Sequence, residues 1–204
     1  SAEKALQHFQ RWALREIFRP PRVPICDWVE STVDLSFDLT AHSSGLIRLY
    51  PYQREPLAET EAADVREIVL MWGTRLGKST VWKMSLLNRV HHGGLSGLIL
   101  YPSYDMAVKV NRDTVLPLLR TVPGIAEDLR RVGNVGKDSY HLPSASSVVY
   151  YLGGGAQVVS YTAGWGAIDE TDFIKLVNSG EEDGNIDQWR ALRTRMKTFP
   201  DRLM

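Results

Sequence analysis

The segment Val69-Leu70-Met71-Trp72-Gly73-Thr74-Arg75-Leu76-Gly77-Lys78-Ser79-Thr80 contains the strongest structural signal in this chain of 204 residues. The largely apolar segment at residues 65–71 predicts a buried strand, and residues 80–92 have the pattern of a helix that ends at Gly93-Gly94. The start of such a helix offers unpaired backbone N–H groups and the positive end of its dipole to an anion. The sequence therefore predicts a phosphate-binding loop between the strand and the helix.

The loop matches the common phosphate-loop pattern G-x-x-x-x-G-K-[ST] at its end but not at its beginning. The pattern places its first glycine at position 72, where this chain has Trp72, and Gly73 follows one place late. At the other end, Gly77 lets the backbone approach the phosphates. Lys78 is expected to reach the β and γ phosphates, and the Ser79 hydroxyl is expected to bind Mg²⁺. The alternative is an ordinary strand–helix turn with an exposed lysine.

The predicted nucleotide-binding loop consists of consecutive residues: Gly73, Thr74, Arg75, Leu76, Gly77, Lys78, Ser79 and Thr80. Arg75 is its unusual member, because it lies inside the loop and ahead of the glycine and lysine. It could reach the γ phosphate and stabilise the charge that develops there during hydrolysis. Alternatively, it points outward and pairs with a surface acid. The sequence leaves both interpretations of Arg75 open.

A second motif, Trp165-Gly166-Ala167-Ile168-Asp169-Glu170, is a short apolar stretch that ends in two acids. In ATPases with a phosphate loop, an Asp at the end of a neighbouring strand supports Mg²⁺. A Glu directly after it can orient the attacking water as a general base. We assign these roles to Asp169 and Glu170, which lie 90 residues beyond Ser79. Taken alone, the pair would indicate a surface turn, and the weaker candidate Asp172 would be a helix cap.

Strand and helix patterns alternate along the chain, which predicts an α/β fold with a mostly parallel sheet covered by helices. Further strands are predicted at residues 95–101, 148–152, 158–161 and 166–168, helices at residues 2–18 and 105–119, and a hairpin partner for the 148–152 strand at residues 139–142. Residues 20–60 are punctuated by prolines, and we expect them to be irregular and to wrap the core.

Composition argues against some classes of protein. Lys and Arg total 24, as do Asp and Glu, and this zero net charge argues against strong stand-alone binding to nucleic acid. Residues 187–202 nevertheless form a basic cluster, which is either a solvated helix face or a local patch. No apolar run is long enough to span a membrane. The single cysteine, Cys26, cannot form an internal disulfide, which favours an intracellular protein.

Taken in order, four segments resemble the ATPase part of the large subunit of tailed-phage terminases, the motor that packages DNA into a prohead. These segments are Pro51-Tyr52-Gln53-Arg54, residues 72–80, Tyr101-Pro102-Ser103-Tyr104-Asp105-Met106-Ala107 and Ile168-Asp169-Glu170-Thr171-Asp172. The resemblance covers residues 45–204 and is greatest to lambda-type packaging enzymes. It accounts for the missing first glycine, because the family's loop often lacks that glycine and contains an arginine.

The resemblance implies a P-loop NTPase domain of the ASCE type at residues 46–204, after an N-terminal helix and wrapping segment at residues 1–45. It assigns Gln53 to adenine recognition, whereas the residue pattern alone would make it a surface glutamine in a proline-rich loop. The implied cofactors are ATP and Mg²⁺. The resemblance implies catalytic roles for Glu170, Lys78 and Arg75, and metal binding by Ser79 and Asp169.

The resemblance also implies ATP hydrolysis coupled to the translocation of double-stranded DNA into the prohead. The implied partners are the terminase small subunit, the portal protein of the prohead and further copies of this chain in a ring. The expected location is the cytoplasm of the infected bacterial host, with no membrane partner. Full-length members carry a C-terminal nuclease domain, which we expect to be absent from this chain, and so no nuclease activity is expected.

Two other functions fit part of the same pattern. A superfamily-2 helicase shares the glutamine, the phosphate loop and an Asp-Glu-x-Asp sequence such as Asp169-Glu170-Thr171-Asp172. A nucleotide-binding scaffold without useful turnover would keep the loop and lose hydrolysis. Stimulation by single-stranded nucleic acid would favour the helicase, and ATP binding without phosphate release would favour the scaffold.

Overall fold

A computed structural model shows how the chain folds. The structure describes residues 6, 23–36, 45–92, 96–132, 136–143, 147–153, 161, 163–170, 177–178, 185–186 and 192–193. The helices are α1 (Ile25–Thr32), α2 (Pro51–Glu59), α3 (Lys78–His92), α4 (Tyr104–Val110), α5 (Leu116–Leu119) and α6 (Pro123–Val132), with a π-helical turn at Asn111–Val115 between α4 and α5. The strands are β1 (Gly97–Tyr101), β2 (Ser139–Leu142), β3 (Ser147–Gly153), β4 (Trp165–Ile168), β5 (Val177–Asn178) and β6 (Asn185–Ile186).

One sheet contains the first four strands in the spatial order β2-β3-β1-β4. The central strand β1 is parallel to both neighbours, so that Ile99 lies opposite Tyr151 of β3 and Ala167 of β4. Strand β2 is antiparallel to β3 and forms the predicted hairpin pair with it. Strands β5 and β6 pair separately and antiparallel. The described part of the chain is therefore a mixed α/β structure with a mostly parallel sheet, as predicted.

The core covers both faces of β1, whose residues are all buried. Ile99 belongs to the main core cluster, which includes the buried face of α3, whereas Leu100 belongs to a smaller cluster that contains Leu192. Alternate residues of a strand point to opposite faces, so each face of the sheet has its own cluster. At the start of β1, a Cβ on Gly97 would lie 2.0 Å from the Trp165 ring, and the packing here therefore requires glycine.

The buried strand predicted at residues 65–71 is wrong. These residues have no regular secondary structure, and the side chains of Val69 and Met71 are 64% and 89% exposed. A strand is stabilised when a neighbouring strand satisfies its backbone N–H and C=O groups. Among the described strands, none pairs with this segment, because the sheet ends at β4. The prediction rested on apolar composition alone. In the structure, no described strand pairs with this segment, and Val69 and Met71 stay exposed.

The irregular structure predicted for residues 20–60 is also wrong in part, because α1 and α2 both lie there. Pro24 directly precedes α1, and Pro51 is the first residue of α2. Proline suits the first turn of a helix, where its missing N–H would have no intrahelical partner and its fixed φ is helical. Gln53 consequently lies on a helix rather than in a proline-rich loop, and it is 4% exposed.

Most other predicted elements agree with the structure to within a few residues. The helix predicted at residues 80–92 is α3, and the strands predicted at 95–101, 148–152 and 166–168 are β1, β3 and β4. The helix predicted at residues 105–119 corresponds to α4, the π-helical turn and α5 in succession. Helix α6 was not predicted, because it begins at Pro123-Gly124, a pair that is more typical of a turn.

Some predictions fall largely outside the described residues. The helix at residues 2–18 is described only at Leu6, which is helical, and the strand at residues 158–161 only at Tyr161, which is not in a strand. The division of the chain after residue 45 stays a prediction. Across the described part of the chain, every helix is too short or too polar to span a lipid bilayer.

Candidate nucleotide-binding site

The predicted phosphate loop is an exposed turn that leads directly into α3. Helix α3 begins at Lys78, and the N–H groups of Thr80 and Val81 donate to the Gly77 carbonyl at 3.0 and 3.2 Å. Within the loop, Arg75 and Gly77 have positive φ angles of 63° and 82°. The start of α3 therefore lies at the end of a tight turn, which is the arrangement that favours an anion.

Gln53 links this loop to α2. Its Nε2 donates to the carbonyl oxygen of Leu76 at 3.3 Å, and its Oε1 accepts the N–H of Tyr50 at 3.0 Å. A Cβ on Gly77 would lie 2.2 Å from the Gln53 Nε2. Position 77 therefore requires glycine for two reasons, its positive φ and the close approach of the Gln53 amide.

The ammonium group of Lys78 is directed at the loop entry. Its Nζ donates to the carbonyl oxygens of Trp72 at 2.6 Å and Gly73 at 3.4 Å. The lysine is therefore held by the loop's own backbone, and its charge lies at the loop entry, beside the residues predicted to bind phosphate. The phosphate-binding role of Lys78 stays a prediction.

Two residues that are 90 positions apart in the sequence meet at the start of α3. The Ser79 hydroxyl donates a hydrogen bond of 3.1 Å to the Asp169 Oδ2. Asp169 directly follows β4, and its backbone N–H donates to the carbonyl oxygen of Leu100 in β1 at 3.1 Å. The pairing of β4 with β1 thus holds the Asp169 backbone, while the carboxylate contacts the first turn of α3. Asp169 is therefore not in an isolated surface turn.

The contact between Ser79 and Asp169 allows a test of whether these residues fit a metal ion. A hydroxyl oxygen and a carboxylate oxygen are hard ligands of the kind that Mg²⁺ prefers. Mg²⁺ characteristically uses one or two protein oxygens and completes its shell with water and phosphate oxygens. The described residues contain no group of three or more His, Cys, Asp or Glu side chains that could hold a metal. The oxygen pair therefore fits Mg²⁺ bound together with a nucleotide.

Sequence analysis missed a third side chain at this contact, Trp82. Its indole Nε1–H donates to the same Asp169 Oδ2 at 3.0 Å. Ser79 and Trp82 are three positions apart on α3, a spacing that places both on one side of a helix. The sequence shows this spacing, and so it indicates that the two side chains lie close together. It does not indicate which distant residue they contact.

Tyr101, at the end of β1, lies beside the same group. Its ring packs edge-on against the Trp82 ring, with a centroid distance of 6.3 Å. The hydroxyl is fully buried and has no hydrogen-bond partner among the described residues. Burial, and secondarily the negative charge of Asp169, raise the pKa of Tyr101 well above its ordinary value. Its hydroxyl therefore stays protonated and neutral next to the carboxylate.

Arg75 and Glu170 are exposed, and their side chains make no hydrogen bond or ion pair with the described part of the chain. The surface acid that one interpretation of Arg75 requires is therefore not found among the described residues. Glu170 has a φ of 56°, and its backbone N–H donates to the Asp169 Oδ1 at 3.2 Å. Positive φ is uncommon for residues other than glycine and often occurs at functional sites. Asp172 lies outside the described residues.

The chain matches the sequence model of the family described as "Phage terminase large subunit gpA, ATPase domain" over residues 41–204. It belongs to this family. The match includes the loop, the residues of the Ser79–Asp169 contact and Gln53, and it confirms the family resemblance that four short segments indicated. The helicase alternative is not favoured by this match.

Two relatives place the domain within larger proteins. "Terminase, large subunit" of Escherichia phage lambda is 25% identical over 120 residues, which are 59% of this chain and 19% of the relative. The crystal structure of the HK97 bacteriophage large terminase has 16% sequence identity and a TM-score of 0.64, over 88% of this chain and 36% of that chain. This terminase structure shares the fold of the chain. The chain corresponds to well under half of each relative.

Proposed function

We propose that this terminase domain is a P-loop ATPase that binds ATP and Mg²⁺ at residues 73–80 and powers the packaging of double-stranded DNA. The observation that supports this most directly is the 3.1 Å contact between Ser79 and Asp169. It joins the start of α3 to the end of β4, where an NTPase of this class needs oxygen ligands for its metal. Membership of the terminase ATPase family supports the same reaction class.

Lys78 and the backbone of the loop bind the triphosphate in this proposal. The ammonium group already contacts two carbonyl oxygens at the loop entry, and it would exchange them for β and γ phosphate oxygens. The residues proposed to bind the triphosphate are Gly73, Thr74, Leu76, Gly77, Lys78 and Thr80. Their backbone N–H groups and the dipole of α3 add favourable interactions with the negative charge.

Ser79 would hold the metal directly, and Asp169 would hold it through water. When bound, Mg²⁺ would neutralise part of the negative charge on the β and γ phosphates. A hydroxyl has one O–H and two lone pairs, so Ser79 would offer a lone pair to the cation and keep its O–H directed at Asp169. The carboxylate is also oriented by other donors, which include the N–H of Glu170 at 3.2 Å.

Glu170 and Arg75 are proposed to act on the γ phosphate. Glu170 would orient the attacking water and accept its proton, since its carboxylate is exposed and next to the metal-binding Asp169. Arg75 would stabilise the developing charge, either in its own site or across a contact with a neighbouring copy. An arginine in this role contributes about 10³- to 10⁵-fold to the rate.

Gln53 is proposed to contribute to adenine binding while it supports the loop. One N–H of its amide donates to Leu76 and one lone pair accepts from Tyr50. An amide has two N–H groups and two lone pairs on its oxygen, so one of each remains for the base.

The larger assembly is also a proposal, because this chain corresponds to a part of its relatives. We propose that the domain translocates double-stranded DNA into a prohead as part of a full-length large subunit. Its partners would be the terminase small subunit, the portal protein and other copies in a ring, in the cytoplasm of the infected host. Residues 1–45 would form a helical extension, and residues 46–204 the ATPase domain.

Phosphate release by this chain, with and without duplex DNA, tests the proposal. Lys78→Ala should abolish turnover and weaken ATP binding, because it removes the charge that faces the phosphates. Lys109→Ala is a matched control, since Lys109 is an exposed lysine on α4 and should keep the unaltered rate. Equal rates for the Lys78→Ala and unaltered chains would contradict the assignment of the loop.

Glu170→Gln separates binding from hydrolysis. It should keep ATP affinity and lower turnover by about 100-fold or more, the range expected for loss of a general base. Glu59→Gln, at an exposed position of α2, is the control and should change neither quantity. Normal hydrolysis by Glu170→Gln would show that another group is the base. ATP binding by the unaltered chain without phosphate release under any condition would instead support the scaffold alternative.

A further inference from the structure

Trp82 occupies a position that the proposed mechanism does not use. It lies one turn into α3, after Lys78 and Ser79, and its only polar atom donates to the carboxylate of Asp169 at 3.0 Å. An indole N–H is a donor only, so it can orient a carboxylate but cannot bind a cation. This property distinguishes Trp82 from Ser79, whose hydroxyl can do either.

The donors around Asp169 divide between its two oxygens. Oδ2 accepts from Ser79 at 3.1 Å and from Trp82 at 3.0 Å, whereas Oδ1 accepts from the N–H of Glu170 at 3.2 Å. A carboxylate offers about four acceptor sites, so one site remains for a metal-bound water. To bind a cation, the Ser79 hydroxyl must direct a lone pair to it while the O–H donates to Asp169, which restricts the geometry of this bond. The Trp82 bond does not depend on the cation.

The position of the Trp82 ring is itself fixed by its neighbours. The buried Tyr101 ring packs edge-on against it with a centroid distance of 6.3 Å, and the Lys83 Nζ lies 5.6 Å from the ring centroid. Tyr101 ends β1, the strand that also holds the Asp169 backbone through Leu100. The indole therefore presents its N–H from a packed position, and the hydrogen bond requires little further ordering.

We propose that Trp82 is a positioning residue for the metal site, and that it keeps the Asp169 carboxylate facing Ser79 when the serine binds the cation. This inference rests on the proposed function of Ser79 and Asp169. Without the indole N–H, the described donors to Asp169 are the Glu170 N–H and a serine hydroxyl that the cation also engages, so the carboxylate is less firmly oriented. The expected consequence is that Mg²⁺ increases the affinity for the nucleotide less than it does in the unaltered chain. The affinity measured without metal should change little.

The test measures the affinity for a non-hydrolysable ATP analogue by calorimetry, once in excess Mg²⁺ and once in EDTA. The ratio of the two dissociation constants is the metal-dependent gain. Trp82→Phe keeps a ring and removes the N–H, and it should lower this gain about tenfold, the size expected for a hydrogen bond to a charged group. The affinity in EDTA should stay within about twofold.

Trp28→Phe provides the control, because Trp28 is buried against the far end of α3 and has no contact with Asp169. Its metal-dependent gain should equal that of the unaltered chain. If Trp82→Phe does not fold, 3-benzothienylalanine at position 82 replaces the N–H by sulfur with almost no change in shape, and it should give the same tenfold loss.

Two results would overturn the inference and leave the proposed function standing. One is an unchanged gain in the folded Trp82 variants. The other is an equal loss of affinity with and without Mg²⁺, which would indicate a general packing role. An unaltered chain that binds no nucleotide in either buffer would overturn the inference and the proposed function together.

Discussion

Residues 65–71 and strand β1 are both short, largely apolar segments that precede a turn, yet they differ in burial and in backbone pairing. Strand β1 pairs on both sides, with β3 and β4, and every one of its residues is buried. In the segment at residues 65–71, Met71 is 89% exposed and no described strand pairs with the backbone. The difference shows that neighbours on both edges, and not apolar composition, decide which run becomes a central strand.

The same contrast divides the candidate site into a firmly held half and a lightly held half. Asp169 is fixed through its backbone by β1 and through its side chain by Ser79 and Trp82. The loop is exposed, and the described bonds that hold it from outside include the one from Gln53. The half around Asp169 is therefore held by several contacts, whereas the loop is the part better able to adjust to a ligand.

The largest expected effect on stability tests the difference in burial between β1 and residues 65–71. Ile99→Ala should lower the free energy of unfolding by about 3 kcal/mol, because it leaves a cavity in the buried core. Met71→Ala should change it by less than about 0.5 kcal/mol, since an exposed side chain loses few contacts. Urea denaturation followed by circular dichroism measures both. Similar losses for the two variants would mean that residues 65–71 are buried in solution.

A smaller effect is expected where the two halves are joined, at Gln53. Gln53→Ala should lower the free energy of unfolding by about 1–2 kcal/mol, because it removes two hydrogen bonds of a buried amide. Amide hydrogen exchange should accelerate in the loop at residues 74–78 and stay unchanged in β1. Gln53→Glu would place a carboxylate oxygen against the Leu76 carbonyl at a buried position, so it should accelerate exchange in the loop and lose at least as much stability as Gln53→Ala. Uniform acceleration in both regions would contradict this division.

The smallest expected effect concerns the far end of α3, where His91 stacks on Trp28 at a centroid distance of 5.2 Å. Desolvation lowers the pKa of His91 from its ordinary value near 6.5. The folded state therefore binds this proton less readily than the unfolded state. Stability is full above about pH 6.5 and decreases as the pH falls from there toward the folded-state pKa. The loss should be below about 1 kcal/mol, because the residue is exposed on one side.

The urea midpoint at pH 7.5 and at pH 5.5 measures this dependence. His91→Gln should show a smaller decrease between the two pH values than the unaltered chain. Equal decreases would contradict the assignment of this pH dependence to His91.

Sequence patterns predicted the parts of the molecule that depend on local chemistry. The phosphate-loop pattern correctly predicted a turn that leads into a helix near Lys78, because a glycine with positive φ and a helix start are local features. Alternation of elements predicted the parallel sheet. The Asp169-Glu170 pair was found from its position after a short apolar run, and the structure places Asp169 against Ser79. The roles assigned to Arg75 and Glu170 stay predictions.

The features that the sequence did not reveal depend on partners that are distant in the chain. Nothing near Trp82 indicates that its N–H meets a carboxylate 87 positions away. Likewise, Gln53 does not predict its bond to Leu76 on a different element. The error at residues 65–71 has the same origin, because strand formation depends on which backbone lies alongside. Pro24 and Pro51 show a further ambiguity, because proline interrupts the interior of a helix but suits its first turn.

The hydrogen bonds of Lys78 to the Trp72 and Gly73 carbonyls have a thermodynamic consequence. These carbonyl oxygens compete with any incoming phosphate for the Lys78 ammonium group. Ligand entry is then an exchange of one set of oxygen partners for another, and only the surplus contributes to affinity. Measured nucleotide affinity should therefore understate the strength of the lysine–phosphate contact.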